Sequence, residues 1–239
     1  MLFRSGYFDC ADDLEVARRL LGEAERFARG HGCDVLAGNF NLTAMQQLGV
    51  LTDGFQGVPY SDMQYNPPHI PRLLEACGFA ATFPVSTFEL DLTTFHPSSL
   101  LVGPAAERVA DSTLHWAGLR SRDFDRALEQ VRAVLNDGFA FNPMFVPLSP
   151  GEMRFQAQDL SHVLDPRITA LVHDNLGPVG VVLCIPDLNP MFRGMGSRLS
   201  ITAPWHFLKF RLWPRRRAVI IFYSVAARMQ GRDIGRAHV

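Results

Sequence analysis

Ala218-Val219-Ile220-Ile221-Phe222-Tyr223-Ser224-Val225-Ala226-Ala227-Arg228-Met229-Gln230-Gly231-Arg232-Asp233-Ile234-Gly235-Arg236 is the stretch on which the reading of this chain turns. Residues 218–226 are almost all apolar and rich in β-branched side chains, which predicts a buried strand. The run is about half the ~20 residues that a membrane-crossing helix needs. The segment after it carries Gly231, Gly235, Arg228, Arg232 and Arg236, and should open a helix. Glycine lets main-chain N–H groups approach a ligand closely. A helix N-terminus favours phosphate, and arginines add charge-assisted hydrogen bonds. A strand, loop and helix joined in this way predict a phosphate or anion site. A solvated surface turn is the plain alternative that the spacing also allows.

The charge distribution agrees with an anionic ligand. The 239-residue chain has a formal net charge of −1. From Arg193 onward, ten Lys and Arg stand against one acid, Asp233, whereas residues 1–192 hold 13 basic and 23 acidic side chains. Such asymmetry points to an anionic ligand or surface for the C-terminal part. Apolar residues make up 47% and charged residues 20% of the chain, with 19 Gly and 16 Pro. That composition excludes a disordered, collagen-like or coiled-coil chain, and the glycines and prolines argue against a simple helical bundle. Cys10, Cys33, Cys77 and Cys184 form no CxxC pair, and no secretory signal is visible at the start. Free thiols in a reducing cytoplasm are therefore expected.

Working back from the decisive stretch, residues 205–213 read as a basic amphipathic helix. Residues 168–173 and 179–185 are β-branched runs joined by Asp174-Asn175-Leu176-Gly177-Pro178, a hairpin signal. A helix is expected from 150 to about 164. Another is led by Asp123, carries Phe124, Ala127, Leu128, Val131, Val134 and Leu135 on its apolar face, and is ended by Gly138. A strand is expected at 113–119. Residues 93–110, with Pro97-Ser98-Ser99 and Gly103-Pro104, read as a linker. The first segment predicts a strand at 2–10 and a helix capped by Asp12, with Glu15 completing a capping box and Gly30 and Gly32 ending it. A strand at 33–37, an irregular stretch at 38–66, a helix at 69–77 stopped by Gly78, and one or two strands within 82–92 follow. The expected class is mixed α/β (α+β), with a mostly antiparallel central sheet flanked by helices.

Gln230-Gly231-Arg232-Asp233-Ile234-Gly235 resembles the Gln/Arg-x-x-Gly-x-Gly/Ala signature of the GNAT (acyl-CoA N-acyltransferase) superfamily. In that family the signature follows the fourth strand and holds the pyrophosphate of an acyl-coenzyme A. The order of elements from 113 onward is similar to the family's first half. The first segment, with Leu73-Leu74-Glu75-Ala76-Cys77-Gly78-Phe79 after Pro68, is similar to its second half. Gly6-Tyr7-Phe8-Asp9-Cys10-Ala11-Asp12-Asp13 and Asn39-Phe40-Asn41-Leu42 resemble stretches of larger bacterial proteins that contain two such lobes. The resemblance implies the back half of one lobe at 1–92, a linker at 93–110 and the front half of a second lobe at 111–239, hence a fragment of a longer protein, or else two halves that close into one permuted lobe.

It also implies transfer of an acyl group from acetyl-CoA or another acyl-CoA to an unspecified amine, without a metal. Ser224, Val225 and Ala226 would be the strand positions that hold the acyl and pantetheine arm. Gln230, Gly231, Arg232, Asp233, Ile234, Gly235 and Arg236 would form the donor loop. No catalytic acid or base is assigned; Tyr60 and Tyr65 would serve only if the two segments close together. Asp233 departs from the signature, which has glycine there. On the resemblance, a side chain at that position would crowd the main-chain approach, and a carboxylate there would repel a diphosphate. The alternative function is that of a catalytically inactive or truncated relative acting as a scaffold or interaction protein.

Other residues carry alternative chemistry. Lys209, Arg211, Arg215, Arg216 and Arg217 interleave with Trp205, Phe207, Phe210 and Trp213. The first-ranked reading packs the aromatic face of this helix on the sheet and leaves the basic face in water. A site for an anionic acyl donor or acceptor ranks second; nucleic acid or a membrane surface ranks last. No membrane span is expected. The eight histidines show no ligand spacing, so no metal is expected. Ser86, Ser161 and Ser200 lack the Gly-x-Ser-x-Gly context of a hydrolase elbow. Cys184 reads as a small buried residue.

Overall fold

The computed structural model describes residues 1–239 except 42–46, 100–101, 104–105, 108–109, 111–112, 121–122, 143–144, 159, 197, 199, 213–216 and 232–239. Chain contacts divide it into two units, Met1–Glu89 with Met144–Val146, and Leu90–Pro143 with Pro147–Val239. The class is α+β: six helices and a four-stranded antiparallel sheet among the described residues, with a separate two-stranded parallel pair.

The first unit is built on β1 (Leu2–Arg4), α1 (Leu14–Gly30) and β2 (Val35–Ala37). β1 and β2 pair in parallel, Leu2 opposite Val35 and Arg4 opposite Ala37, with α1 as the crossover that a parallel pair requires. The cap of α1 is Asp13, not Asp12: its side chain accepts from the N–H groups of Glu15 and Val16 at 2.8 and 3.2 Å. Asp12 instead takes Arg72 of α2 (His69–Ala76), both of its oxygens lying 2.7 Å from Nη2. Ala17, Leu21 and Ala28 of α1 and Ile70 and Leu73 of α2 are buried. Gly78, at φ +89°, ends α2 in the left-handed conformation that glycine adopts without a steric penalty.

The two stretches flanking this parallel pair, 6–13 and 39–42, meet through their described residues. Tyr7 N–H donates to Asn41 Oδ1 at 2.8 Å, and the Phe40 N–H donates to the Ser5 carbonyl at 2.8 Å. Asn39, Phe40 and Asn41 are buried. A Cβ on Gly6 would stand 1.7 Å from the Phe40 carbonyl oxygen, so only glycine fits. The strands expected within 82–92 do not form; these residues are exposed and join no sheet. Alternation supplies two faces, but a strand also needs a partner edge, and no described residue provides one.

The second unit holds β3 (His115–Ala117), α3 (Phe124–Gly138), α4 (Pro150–Ala157), β4 (Ala170–Asp174), β5 (Gly177–Pro186), α5 (Asn189–Gly194), α6 (Ala203–Leu212) and β6 (Ala218–Val225). The sheet order is β3-β4-β5-β6. β5 is central and buried along most of its length, with Val179, Val181, Val182, Leu183 and Ile185 in the core. α3 lays Ala127, Leu128, Val131, Val134 and Leu135 against the sheet. Each fully buried Val or Leu contributes about 1.5–3 kcal/mol. Asn136 brackets the backbone of Leu148, donating to its carbonyl and accepting from its N–H, each at 2.9 Å. That bracket leads into α4, which opens with a Ser149–Glu152 capping box. α4 is shorter than expected: it stops at Ala157, and a 3-10 turn at Leu160–His162 follows.

Two further expectations are corrected. β6 is an edge strand of this sheet and only Ser224 in it is buried. α6 has no buried residue, and its aromatic side chains do not form a single packed face. Among the described residues, no helix is long and apolar enough to cross a membrane.

Candidate functional site

The end of β6 meets the C-terminus of α3. Ser224 pairs with Val181 of β5 and Val225 with Gly180. Ala226 continues the ladder, its N–H donating to the Val179 carbonyl at 2.9 Å. Antiparallel pairing alternates the direction of main-chain groups. With Ala226 turned toward β5, the N–H and C=O groups of Val225 and Tyr223 point to the opposite edge, which no described strand pairs with.

Four contacts then fix the turn out of the strand. The Ser224 hydroxyl, buried, donates to the Val134 carbonyl of α3 at 3.3 Å. Ala227 N–H donates to Asp137 Oδ2 at 2.6 Å. Gln230 Nε2 donates to the carbonyls of Gly138 and Val225 at 3.0 and 3.1 Å. Arg228 forms a two-pronged ion pair with Asp174 at the β4–β5 turn, Nη2 lying 2.9 Å from Oδ1. Asp174 also accepts from the N–H groups of Leu176 and Gly177 at 2.8 and 3.1 Å. Arg228 first, and then these N–H groups, hold its carboxyl well below the usual carboxylate range. Met229 packs into a small cluster with Leu114, Val172 and Val179, against which Val225 also rests.

A short 3-10 turn, Ala227–Met229, leads to Gln230 in extended conformation and Gly231 at φ +73°. The left-handed value is the one that a loop swinging its main chain toward a ligand needs and that glycine supplies at little cost. Gly138 makes the junction close: a Cβ there would stand 2.1 Å from Ser224 Oγ and 2.7 Å from the Val225 carbonyl oxygen.

Of the residues singled out in the sequence, Ser224, Val225, Ala226, Gln230 and Gly231 thus gather at one strand end. Arg232, Asp233, Ile234, Gly235 and Arg236 lie outside the described residues. The structure gives several of the gathered side chains packing roles. Ser224 is turned into the α3 contact, Gln230 ties two carbonyls together, and Arg228 is taken up by Asp174. Tyr60 donates to Glu89, and Tyr65 is exposed. Sequence reasoning missed Asp137, Asp174 and Gly138, whose partners lie 90, 54 and 92 residues away. It also missed Tyr223, partly exposed on β6, whose phenol pKa is raised by burial. His173 faces His115 across β3 and β4, and burial, followed by His115, lowers its pKa. Among the described residues, no group of three His, Cys, Asp or Glu could hold a metal ion.

The fold and this strand end define an α+β protein with a glycine-bearing turn at the open edge of an antiparallel sheet. No protein-family model matches the chain. It is similar to a bacterial ceramide synthase of Caulobacter vibrioides (strain NA1000 / CB15N), 27% identical over 236 residues, which cover 97% of this chain and 60% of that protein. It is also similar to protein YghO of Escherichia coli (strain K12), 23% identical over 210 residues, 87% of this chain and 52% of that protein. The chain therefore spans 52–60% of the length of these curated relatives.

Proposed function

We propose that this chain takes part in acyl-CoA-dependent N-acyl transfer, with the donor lying along the open edge of β6 and its diphosphate at the loop that Gly231 begins. The observation that carries the reading is the strand end itself. The clasp on α3 leaves the outward N–H of Val225 at the sheet edge and starts the loop in a left-handed glycine. In this reaction the amine nitrogen attacks the thioester carbonyl carbon. The C–S bond breaks, sulfur leaves with the electron pair, and the proton lost by the amine ends on sulfur or solvent. The outward N–H is suited to the oxyanion that forms on the carbonyl. The resemblance of residues 230–235 to the GNAT signature supports the donor.

The likeness to a protein named a bacterial ceramide synthase supports the bond type. A ceramide is an amide of a fatty acid and a long-chain amino alcohol, so its synthesis forms an N-acyl bond. On this reading the acceptor is a long-chain amine and the donor a fatty acyl-CoA.

A second reading, a non-catalytic scaffold, is favoured by one observation. Arg228 and Gln230, two of the polar side chains nearest the loop, are already engaged within the fold. A thermal melt with saturating acetyl-CoA or palmitoyl-CoA separates the two. Ligand at about a hundred times its dissociation constant stabilises by roughly 2.7 kcal/mol, or about 5–10 °C at this chain length. Gly231→Val should abolish the shift, and Asp233→Gly should enlarge it. An unmoved melt in the wild type and in Asp233→Gly refutes donor binding and leaves the scaffold.

A further inference from the structure

Helix α6 carries two apolar sides, and only one of them is turned inward. At about 100° per residue, Ala203, His206, Phe207 and Phe210 share one side, and all four are half-buried. Pro204, Trp205, Leu208, Lys209, Arg211 and Leu212 share the other, and all six are exposed. Trp205, Leu208 and Leu212 form the centre of that exposed side at i, i+3 and i+7, with exposures of 67%, 45% and 74%. Lys209 flanks this stripe on one side and Arg211 on the other. Ile201, in the turn just before the helix, is 99% exposed. α5 packs beside α6, with Gly194 close to the His206 ring, and adds exposed Phe192 and Arg193.

The chain segment that carries the stripe is basic. No Asp or Glu occurs from 188 to 232. The carboxylate just before this span, Asp187, is buried and paired with Arg217 at 3.1 Å. A surface helix ordinarily shows polar residues to water, so Trp205, Leu208 and Leu212 require an occupant that accepts apolar side chains and cations together. A nucleic acid would pair with the cations and leave the leucines in water. An apolar protein face would take the leucines and desolvate the cations, which is costly. An anionic bilayer surface accommodates both. Leucines enter the acyl boundary, tryptophan sits at the headgroup level, and the basic heads meet lipid phosphates.

We propose that α5 and α6 form a docking surface for an anionic lipid bilayer, with the α6 axis in the plane of the interface. This inference stands apart from the acyl-transfer reading, since vesicle binding requires no coenzyme A.

The test is flotation of the 239-residue chain with vesicles of phosphatidylcholine alone and with one-third phosphatidylserine. Binding should appear with phosphatidylserine and weaken as salt rises. Each basic residue at such a surface is worth about a fivefold change in partition, so Arg193→Glu with Arg211→Glu should reduce binding by about thirtyfold or more. Leu208→Ser with Leu212→Ser should reduce it at least about tenfold. All four positions are exposed, so both variants should melt with the wild type. Equal binding to both vesicle types, no binding, or leucine variants that bind like the wild type would overturn the proposal. So would a self-association lost in the leucine variant without vesicle binding, or oligonucleotide binding that the leucine variant retains.

Discussion

Replacing Gly138 by alanine probes the strand end directly. Gly138 is the last residue of α3, and alanine in a helix is ordinarily better than glycine by about 0.8–1 kcal/mol. At this site the added Cβ meets Ser224 Oγ at 2.1 Å and the Val225 carbonyl oxygen at 2.7 Å, whereas ordinary contact begins at 3.4 Å. The hydroxyl can rotate away, but it then gives up its bond to the Val134 carbonyl inside the protein. A buried polar group left unsatisfied costs about 1–3 kcal/mol. The Val225 oxygen is a main-chain group of β6 that accepts from Gln230 and cannot rotate by itself, so α3 and β6 must separate by several tenths of an ångström. Overpacking of this kind costs about 1–3 kcal/mol. After the helix-propensity gain is subtracted from the two costs together, Gly138→Ala should destabilise by about 1–5 kcal/mol. The assay is urea unfolding followed by tryptophan fluorescence, with Gly151→Ala in the same unit as control. Gly151 lies in the first turn of α4 with nothing within 4 Å of an added Cβ, so that variant should match or exceed the wild type. If Gly138→Ala were as stable as Gly151→Ala, the close approach of α3 to the end of β6 would be refuted.

Other substitutions test separate contacts. The carboxyl of Asp174 is held below its usual range by Arg228, so its stabilisation is complete above about pH 4 and is lost as pH falls below that value. Asp174→Asn should therefore melt lower than the wild type at neutral pH, by at most about 1 kcal/mol for a partly exposed pair, and the gap should close in acid melts. Burial pushes the Cys184 thiol up to about 11, so its alkylation, followed by peptide mass spectrometry, should still be accelerating from pH 9 to 10. Saturation below pH 9 would contradict that burial. Gly22 lies in the middle of α1 with open space around an added Cβ. Gly22→Ala should stabilise the first unit by about 0.5–1 kcal/mol, measured by hydrogen exchange of the α1 amides.

The helix α3 was legible in the sequence because its signals are local. Six apolar positions recur at helical spacing, and Gly138 closes the run. The β4–β5 hairpin was legible for the same reason, since Asp174 and Gly177 make the turn within a few residues. What escaped has two physical sources. Period and composition do not say whether an apolar run is central or at an edge; β5 and β6 read alike, yet only β5 is buried on both faces. In α6 both sides are apolar, so no contrast between faces told which aromatic side chains turn inward. The second source is distance along the chain. Nothing local to Arg228 or Gln230 announces Asp174 or the Gly138 carbonyl, and the sequence reading gave both side chains to a ligand.

Those long-range contacts change what substitutions around the loop can tell. Arg228 and Gln230 anchor the strand end to the β4–β5 turn and to α3. On the proposed reading, the polar groups left for an anionic donor are main-chain N–H groups from Gly231 onward and the side chains of Arg232 and Arg236. Arg228→Ala and Arg232→Ala, chemically the same change, should then fail differently. Arg228→Ala removes a structural ion pair, lowers the melting temperature without ligand and weakens coenzyme A binding only through displacement of the loop. On that reading Arg232→Ala removes the ligand-induced shift. An unliganded melt of Arg228→Ala equal to the wild type would remove the structural role assigned to Arg228, and a ligand shift in Arg232→Ala equal to that of the wild type would remove the contact role assigned to Arg232.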